Sequence, residues 1–245
     1  MPGALITGEN FLTTQLFKSA AAGGLAALLA LAGTGCSQSG GASQQELAAL
    51  KADVAALKQQ AGRAQDYIDV ANLQSIYGYY VDKSRWDDAA DLYSANATLE
   101  IAGRGLFVGQ ARIREYLNQL GKLEYGRLYN HMQLQPVIHV AEDGNSAKAR
   151  WRAFMQVGHL GKEARWGEGT YENEYVKEGG TWKISKLHSY ITFYVDFDKG
   201  WNKGGVELPK HLDRLEPDSE TTVKYGAFPD VFVPPYHYKN PVSGK

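Results

Sequence analysis

The sequence predicts an α+β domain in which N-terminal helices pack on a curved antiparallel sheet. Three observations carry that reading. Apolar residues recur at helical spacing in several stretches between Leu47 and Leu120. Four long strand-like runs follow, at about Arg127–Val140, Ser146–Gly158, Arg165–Val176 and Thr181–Phe197. Turn residues stand at two of their junctions, Asp143-Gly144-Asn145 and Gly179-Gly180.

The chain opens on residues 1–36, which read as an address rather than as structure. Lys18 precedes the apolar run Ala20–Ala32, which has signal-peptide length and is too short to span a bilayer. The run ends at Gly33-Thr34-Gly35-Cys36, followed by a flexible Ser/Gly tether. This is similar to a bacterial lipoprotein signal. It implies export to the periplasm or to a membrane surface, with Cys36 lipidated. Cys36 is the only cysteine, so no intrachain disulfide forms.

Residues 37–65 continue the tether and begin a helix. Ser43-Gln44-Gln45-Glu46 is a capping-box signature, and Leu47, Leu50, Val54, Leu57, Ala61, Ala64 and Ile68 follow at coiled-coil-like spacing. A stalk, an oligomerisation helix and a helix packed on its own domain all fit that pattern. The core domain, 66–201, opens with a second helical pattern carrying Leu73, Ile76, Tyr77 and Tyr80 on one face. Ser84 and Asp87 read as the cap and third position of a short helix from Arg85 to about Tyr93. Strands are expected at Ala97–Ile101 and Leu106–Val108, then a helix at Gln110–Leu120 stopped by Gly121. In Ser146–Gly158, Ala147, Ala149, Trp151, Ala153, Met155 and Val157 share one face, opposite Lys148, Arg150, Arg152, Phe154 and Gln156. Residues 202–245 mix Pro, Gly and aromatics without periodicity, as in a tail that wraps a surface or closes a pocket.

Composition narrows the function. With 44% hydrophobic and 11% aromatic residues a compact core is easily built. A net charge of −1, with no basic cluster, offers nothing for nucleic acid. His139, His159, His188, His211 and His237 lack metal-ligand spacing. No phosphate-binding glycine loop or nucleophile elbow is present. No cofactor or metal is therefore expected.

Asp82 follows Tyr77, Tyr80 and Val81 on an apolar helix face, where a charge is costly to bury. It is either solvated at a helix end or placed in a pocket. His131, on a strand, shares a face with Tyr129 and Gln133 and is either structural or a base. Together the two provide what a pocket base needs: a carboxylate on one ring nitrogen and the other nitrogen free to take a proton. Tyr77, with a phenol pKa near 10, can donate a proton but is a poor base.

Tyr77-x4-Asp82, Trp86, His131 and the stretch Gly169–Tyr190 (GTYENEYVKEGGTWKISKLHSY) resemble the SnoaL-like branch of the nuclear transport factor 2-like superfamily. That branch contains bile acid 7α-dehydratase, scytalone dehydratase and hexachlorocyclohexane dehydrochlorinase. The resemblance covers about Asp66–Trp201. It implies a cone-shaped α+β barrel around an apolar cavity, with His131 as base, Asp82 orienting its ring and Tyr77 as acid. Tyr80, Trp86, Tyr129, Phe154, Tyr171 and Asn173 are the implied substrate-binding residues. The expected activity is a cofactor-independent lyase that removes water, or another small leaving group, from an apolar cyclic or aromatic substrate. Competing readings are a formaldehyde-releasing carbon–carbon lyase, an isomerase or cyclase, and a non-catalytic ligand carrier. A homotrimer or homodimer is expected, with membrane contact only through the lipid.

Overall fold

A computed structural model of the chain describes residues 43–204 and 207–245. The leader and Cys36 lie outside the described residues. The chain divides into two units, with the boundary between Asp53 and Val54. Of the first unit only the start of a helix is described. Ser43 N–H donates to Glu46 Oε2 (2.6 Å) and Glu46 N–H donates to Ser43 Oγ (3.2 Å), the reciprocal pair of a capping box.

That helix, α1 (Gln44–Asp82), has 39 residues. The two helical patterns read from the sequence are one element. Gly62 lies in open space and does not break it. The cost of about 1 kcal/mol for an exposed helical glycine is small beside the burial that follows. From Asp66 onward the buried positions are Asp66, Val70, Leu73, Gln74, Tyr77, Gly78 and Val81, which recur every three to four residues, so one face meets the sheet. Upstream, Leu47, Leu50, Val54 and Leu57 are exposed.

α1 ends in a tight reversal. The N–H groups of Lys83 and Arg85 both donate to Tyr80 O (3.2 and 2.9 Å), with Ser84 left-handed at φ 52°. Ser84 therefore closes the long helix instead of capping the next. The next helix, α2 (Trp86–Asp91), starts after Arg85 with no side-chain cap. β1 (Tyr93–Ile101) and β2 (Gly105–Val108) form a hairpin, and α3 (Gln110–Gln119) follows. β3 (Arg127–Val140), β4 (Ser146–His159), β5 (Glu163–Glu178) and β6 (Thr181–Asp196) complete a six-stranded sheet in the order β2-β1-β6-β5-β4-β3. The sheet is antiparallel except that β1 pairs parallel with β6, a departure from the fully antiparallel expectation.

The sheet is curved and unclosed. Its bends coincide with register shifts at Leu134/Val137, where Gln135 has φ 49°, and at Glu168/Gly169. At Gly169 a Cβ would lie 2.7 Å from Tyr190 O, so only glycine permits that approach. The β4 alternation holds: Ala147, Ala149, Trp151, Ala153 and Met155 are buried on the concave face. Small alanines there admit α1, while Trp151, Tyr171 and Tyr175 fill the remaining space. Among the described residues no helix is long and apolar enough to cross a membrane.

Residues 207–245 wrap this body without long elements of their own. Ser219 bridges to Leu106, and the Asp218 carboxylate accepts from Val108 N–H (2.7 Å) and Arg112 Nε (3.0 Å). Thr222 caps the buried Glu100 through its N–H (2.7 Å) and hydroxyl. Arg150, on the outer face of β4, donates to Pro234 O and Pro235 O and lies 3.7 Å from the Tyr236 ring centroid.

Candidate active site

A cavity of about 250 Å³ lies between the helices and the concave face, and Pro209 and Leu212 of the tail form part of its wall. α1 contributes Tyr77 and Val81, α2 Trp86, β3 Tyr129 and His131, and β5 Tyr171. A larger hollow of about 590 Å³ lies over the β4–β5 turn, but none of the sequence-predicted site residues lines it.

His131 is the titratable centre of the chamber. β3 turns its imidazole inward, and Nε2 lies 2.6 Å from Tyr171 Oη. The two rings are inclined by only 18° with centroids 6.1 Å apart, so the hydrogen bond lies near the imidazole plane. Burial, reinforced by the Arg104 cation, lowers the His131 pKa to about 4. Burial raises the Tyr171 phenol well above its usual 10. At neutral pH the site therefore holds a neutral imidazole and a protonated phenol.

Asp82 meets His131, but through the main chain. Its Oδ1 accepts from the His131 backbone N–H at 2.5 Å, with no bond to the ring. The carboxylate lines a separate hollow of about 330 Å³ with Gly78, Tyr79 and Gln133, outside the chamber. Geometry explains the departure from the expected carboxylate–imidazole pair. Asp82 is five positions beyond Tyr77, roughly 140° around an α-helix, so once Tyr77 enters the chamber Asp82 points to its flank. Burial raises the Asp82 pKa, and the His131 N–H opposes that rise. α1 passes very close to β3 here: a Cβ at Gly78 would lie 2.8 Å from Gln133 Cγ and 3.2 Å from His131 O.

The other predicted residues divide. Tyr77 reaches the chamber, its ring edge-on to Tyr93 at 6.0 Å, and burial pushes its phenol well above 10. Trp86 and Tyr129 also line it. Trp86 Nε1–H donates to Gly121 O (2.6 Å), and Tyr129 Oη donates to Leu120 O. Three do not reach it. Tyr80 lies at the helix end beneath Arg85, 5.5 Å away. Phe154 is on the opposite sheet face, edge-on to Trp166 at 5.9 Å, as strand alternation dictates. Asn173 points inward but is held in a buried network, donating to Gln74 Oε1 (3.1 Å) and Tyr175 Oη (3.3 Å) and accepting from His188 N–H (3.3 Å). Gln74 Nε2 in turn donates to Gln133 Oε1 at 2.9 Å.

Sequence reasoning missed Arg104, Tyr116 and Tyr194, which also line the chamber. A lone arginine between two glycines reads as an exposed hairpin charge, so no signal marked it. Among the described residues no cluster of His, Cys, Asp and Glu could hold a metal.

The SnoaL-like domain profile matches residues 62–188. Among solved structures, a scytalone dehydratase-like protein from Novosphingobium aromaticivorans is 18% identical, with a TM-score of 0.52 over 64% of this chain and 99% of the other. A type 2 hexachlorocyclohexane dehydrochlorinase (LinA) is 18% identical, with a TM-score of 0.49 over 56% of this chain and 93% of the other. No curated protein sequence matches the chain.

Proposed function

We propose that this chain, which belongs to the SnoaL-like family, is a cofactor-independent lyase that eliminates water or another small leaving group from an apolar cyclic or aromatic compound. The observation that carries this reading is the neutral imidazole of His131 in a largely apolar chamber, its Nε2 within hydrogen-bond reach of Tyr171 Oη and the ring faced by the protonated phenol of Tyr77. With its Nε2–H donated to Tyr171 Oη, His131 takes a proton from carbon on Nδ1, the electron pair left behind forms a C=C bond, and the C–O bond breaks with its pair going to oxygen. Tyr77 protonates the departing oxygen and is reprotonated from the imidazolium through solvent. Chloride leaves without help, whereas hydroxide needs a proton donor, so a tyrosine at this position favours loss of water. Tyr171 holds the plane of the imidazole. Asp82 fixes the His131 main chain and with it the reach of the side chain.

The scytalone dehydratase-like protein among the structural neighbours fits this class of chemistry. One observation favours a second reading, a ligand carrier. The imidazole has no carboxylate on its ring and faces a cation, which weakens it as a base. Incubating the protein with a panel of cyclic and aromatic β-hydroxy compounds, followed by mass spectrometry, separates the possibilities. Loss of water from one compound supports the proposal. Formaldehyde release or an isomer of unchanged mass replaces it with another lyase or an isomerase. Bound but unchanged compounds leave a carrier.

A further inference from the structure

Arg104 occupies the chamber without a role in the chemistry above. It sits in the β1–β2 turn between Gly103 (φ 75°) and Gly105 (φ 97°). A Cβ on Gly103 would fall 2.1 Å from Pro209 O, and one on Gly105 would fall 2.5 Å from Pro217 Cβ. The tail thus clamps the turn, and the guanidinium forms part of the chamber wall. There Nη1 donates to Tyr116 Oη at 2.7 Å, while the Nε–H is cut off from solvent and meets no acceptor among the described residues. No carboxylate pairs with Arg104 among the described residues. Every other arginine in the second unit that donates a hydrogen bond into the fold does so to at least one carboxylate or carbonyl oxygen.

A cation whose one protein partner is a tyrosine hydroxyl, with no carboxylate beside it, is poorly compensated. The planar fork of donors on a guanidinium fits the paired oxygens of a carboxylate or a phosphate, and of the two the singly charged carboxylate is the less costly to bring into an apolar chamber. We propose that Arg104 anchors a carboxylate of the ligand, so that the chamber takes a small aromatic or alicyclic acid. This rests on the chamber being the ligand site, as in the lyase reading, and names the substrate class. A volume of about 250 Å³, just below the usual range of about 300–1,000 Å³, suits a compound of one or two rings. Once anchored, the anion offsets the positive charge that opposes protonation of His131. Binding of the right ligand thereby strengthens the base.

The test is calorimetric titration of the purified protein with benzoate and trans-cinnamate against benzamide and cinnamamide. The wild type is expected to bind an acid at least about tenfold more tightly than its amide, as expected for a charge-assisted pair. Arg104→Met, with its melting temperature measured in parallel, is expected to lose that preference. Arg104→Gln serves if the methionine variant does not fold. His131→Asn is expected to keep the preference, because anchoring needs no proton transfer. A wild type with no preference for the acids, including one that binds neither form, overturns the assignment. So does a folded Arg104 variant that retains the preference. Turnover is not read in any arm, so failure of the lyase chemistry and failure of the anchor remain separate results.

Discussion

Replacing Asp82 with Asn separates two ways in which the carboxylate can serve His131. In the structure its oxygen accepts from the His131 backbone N–H at 2.5 Å. The side-chain oxygen of asparagine can accept the same bond. The loss is then the difference between a charge-assisted bond, about 1.5–3 kcal/mol, and a neutral one, about 0.5–1.5 kcal/mol. That is about 1 kcal/mol, a fall of roughly 2–4 °C in melting temperature for a domain of this size. Relief of the burial penalty that raises the Asp82 pKa acts in the opposite direction and makes this an upper value. Turnover is expected to fall by no more than about tenfold. A carboxylate acting on the imidazole itself would cost about 10²–10⁴-fold, because asparagine cannot stabilise the imidazolium in the same way. Steady-state kinetics of Asp82→Asn on a compound that the wild type converts, with melting curves alongside, decide the matter. A loss of 100-fold or more at unchanged stability would refute the main-chain role. Hydrogen exchange of the His131 amide adds a check: Asp82→Ala, which leaves that N–H without its acceptor, should speed exchange, and Asp82→Asn should barely alter it.

Three further outcomes are expected. His131 titrates at about 4 when folded and near 6.5 when unfolded, so the unfolded chain takes up the proton first as pH falls. The stability it contributes is present above about pH 6.5 and is lost as pH drops towards 4. Denaturant titrations between pH 4 and 7 should show a shallower loss in His131→Asn than in the wild type, and comparing the two cancels the similar contribution of His188. Tyr171→Phe removes the hydroxyl 2.6 Å from Nε2 and should lower kcat by about tenfold or more with little change in KM, as expected when only the orientation of the base is lost. Gly78→Ala gains helix propensity but drives a methyl group towards Gln133 and His131 O, so a net destabilisation of about 1 kcal/mol is expected in thermal melts.

The strands were legible because local signals fix them. β3 has the bounds its apolar run suggested, and Gly144 and Gly180 take positive φ at the turns. Pairing was not legible: nothing in the β1 sequence says that it lies parallel to β6, since that depends on where the intervening chain leads. The join between the two helical patterns was hidden by Gly62, whose local cost is outweighed by packing further along α1. At the site, strand periodicity put His131 and Tyr129 on one face of β3, and both line the chamber. The same rule placed Phe154 outward, and its nomination as a pocket residue went against that pattern. The flank position of Asp82 follows from helix geometry, whereas its acceptance of a main-chain N–H required the path of β3. Arg104 was invisible because a residue of the tail, more than a hundred positions away, closes its turn.

The central claim is that the chamber imidazole of His131 removes a proton from carbon, and His131→Asn measures it most directly. On a compound that the wild type dehydrates, the variant is expected to bind normally and to lose at least about 100-fold in kcat. Turnover within a few-fold of wild type would contradict the claim.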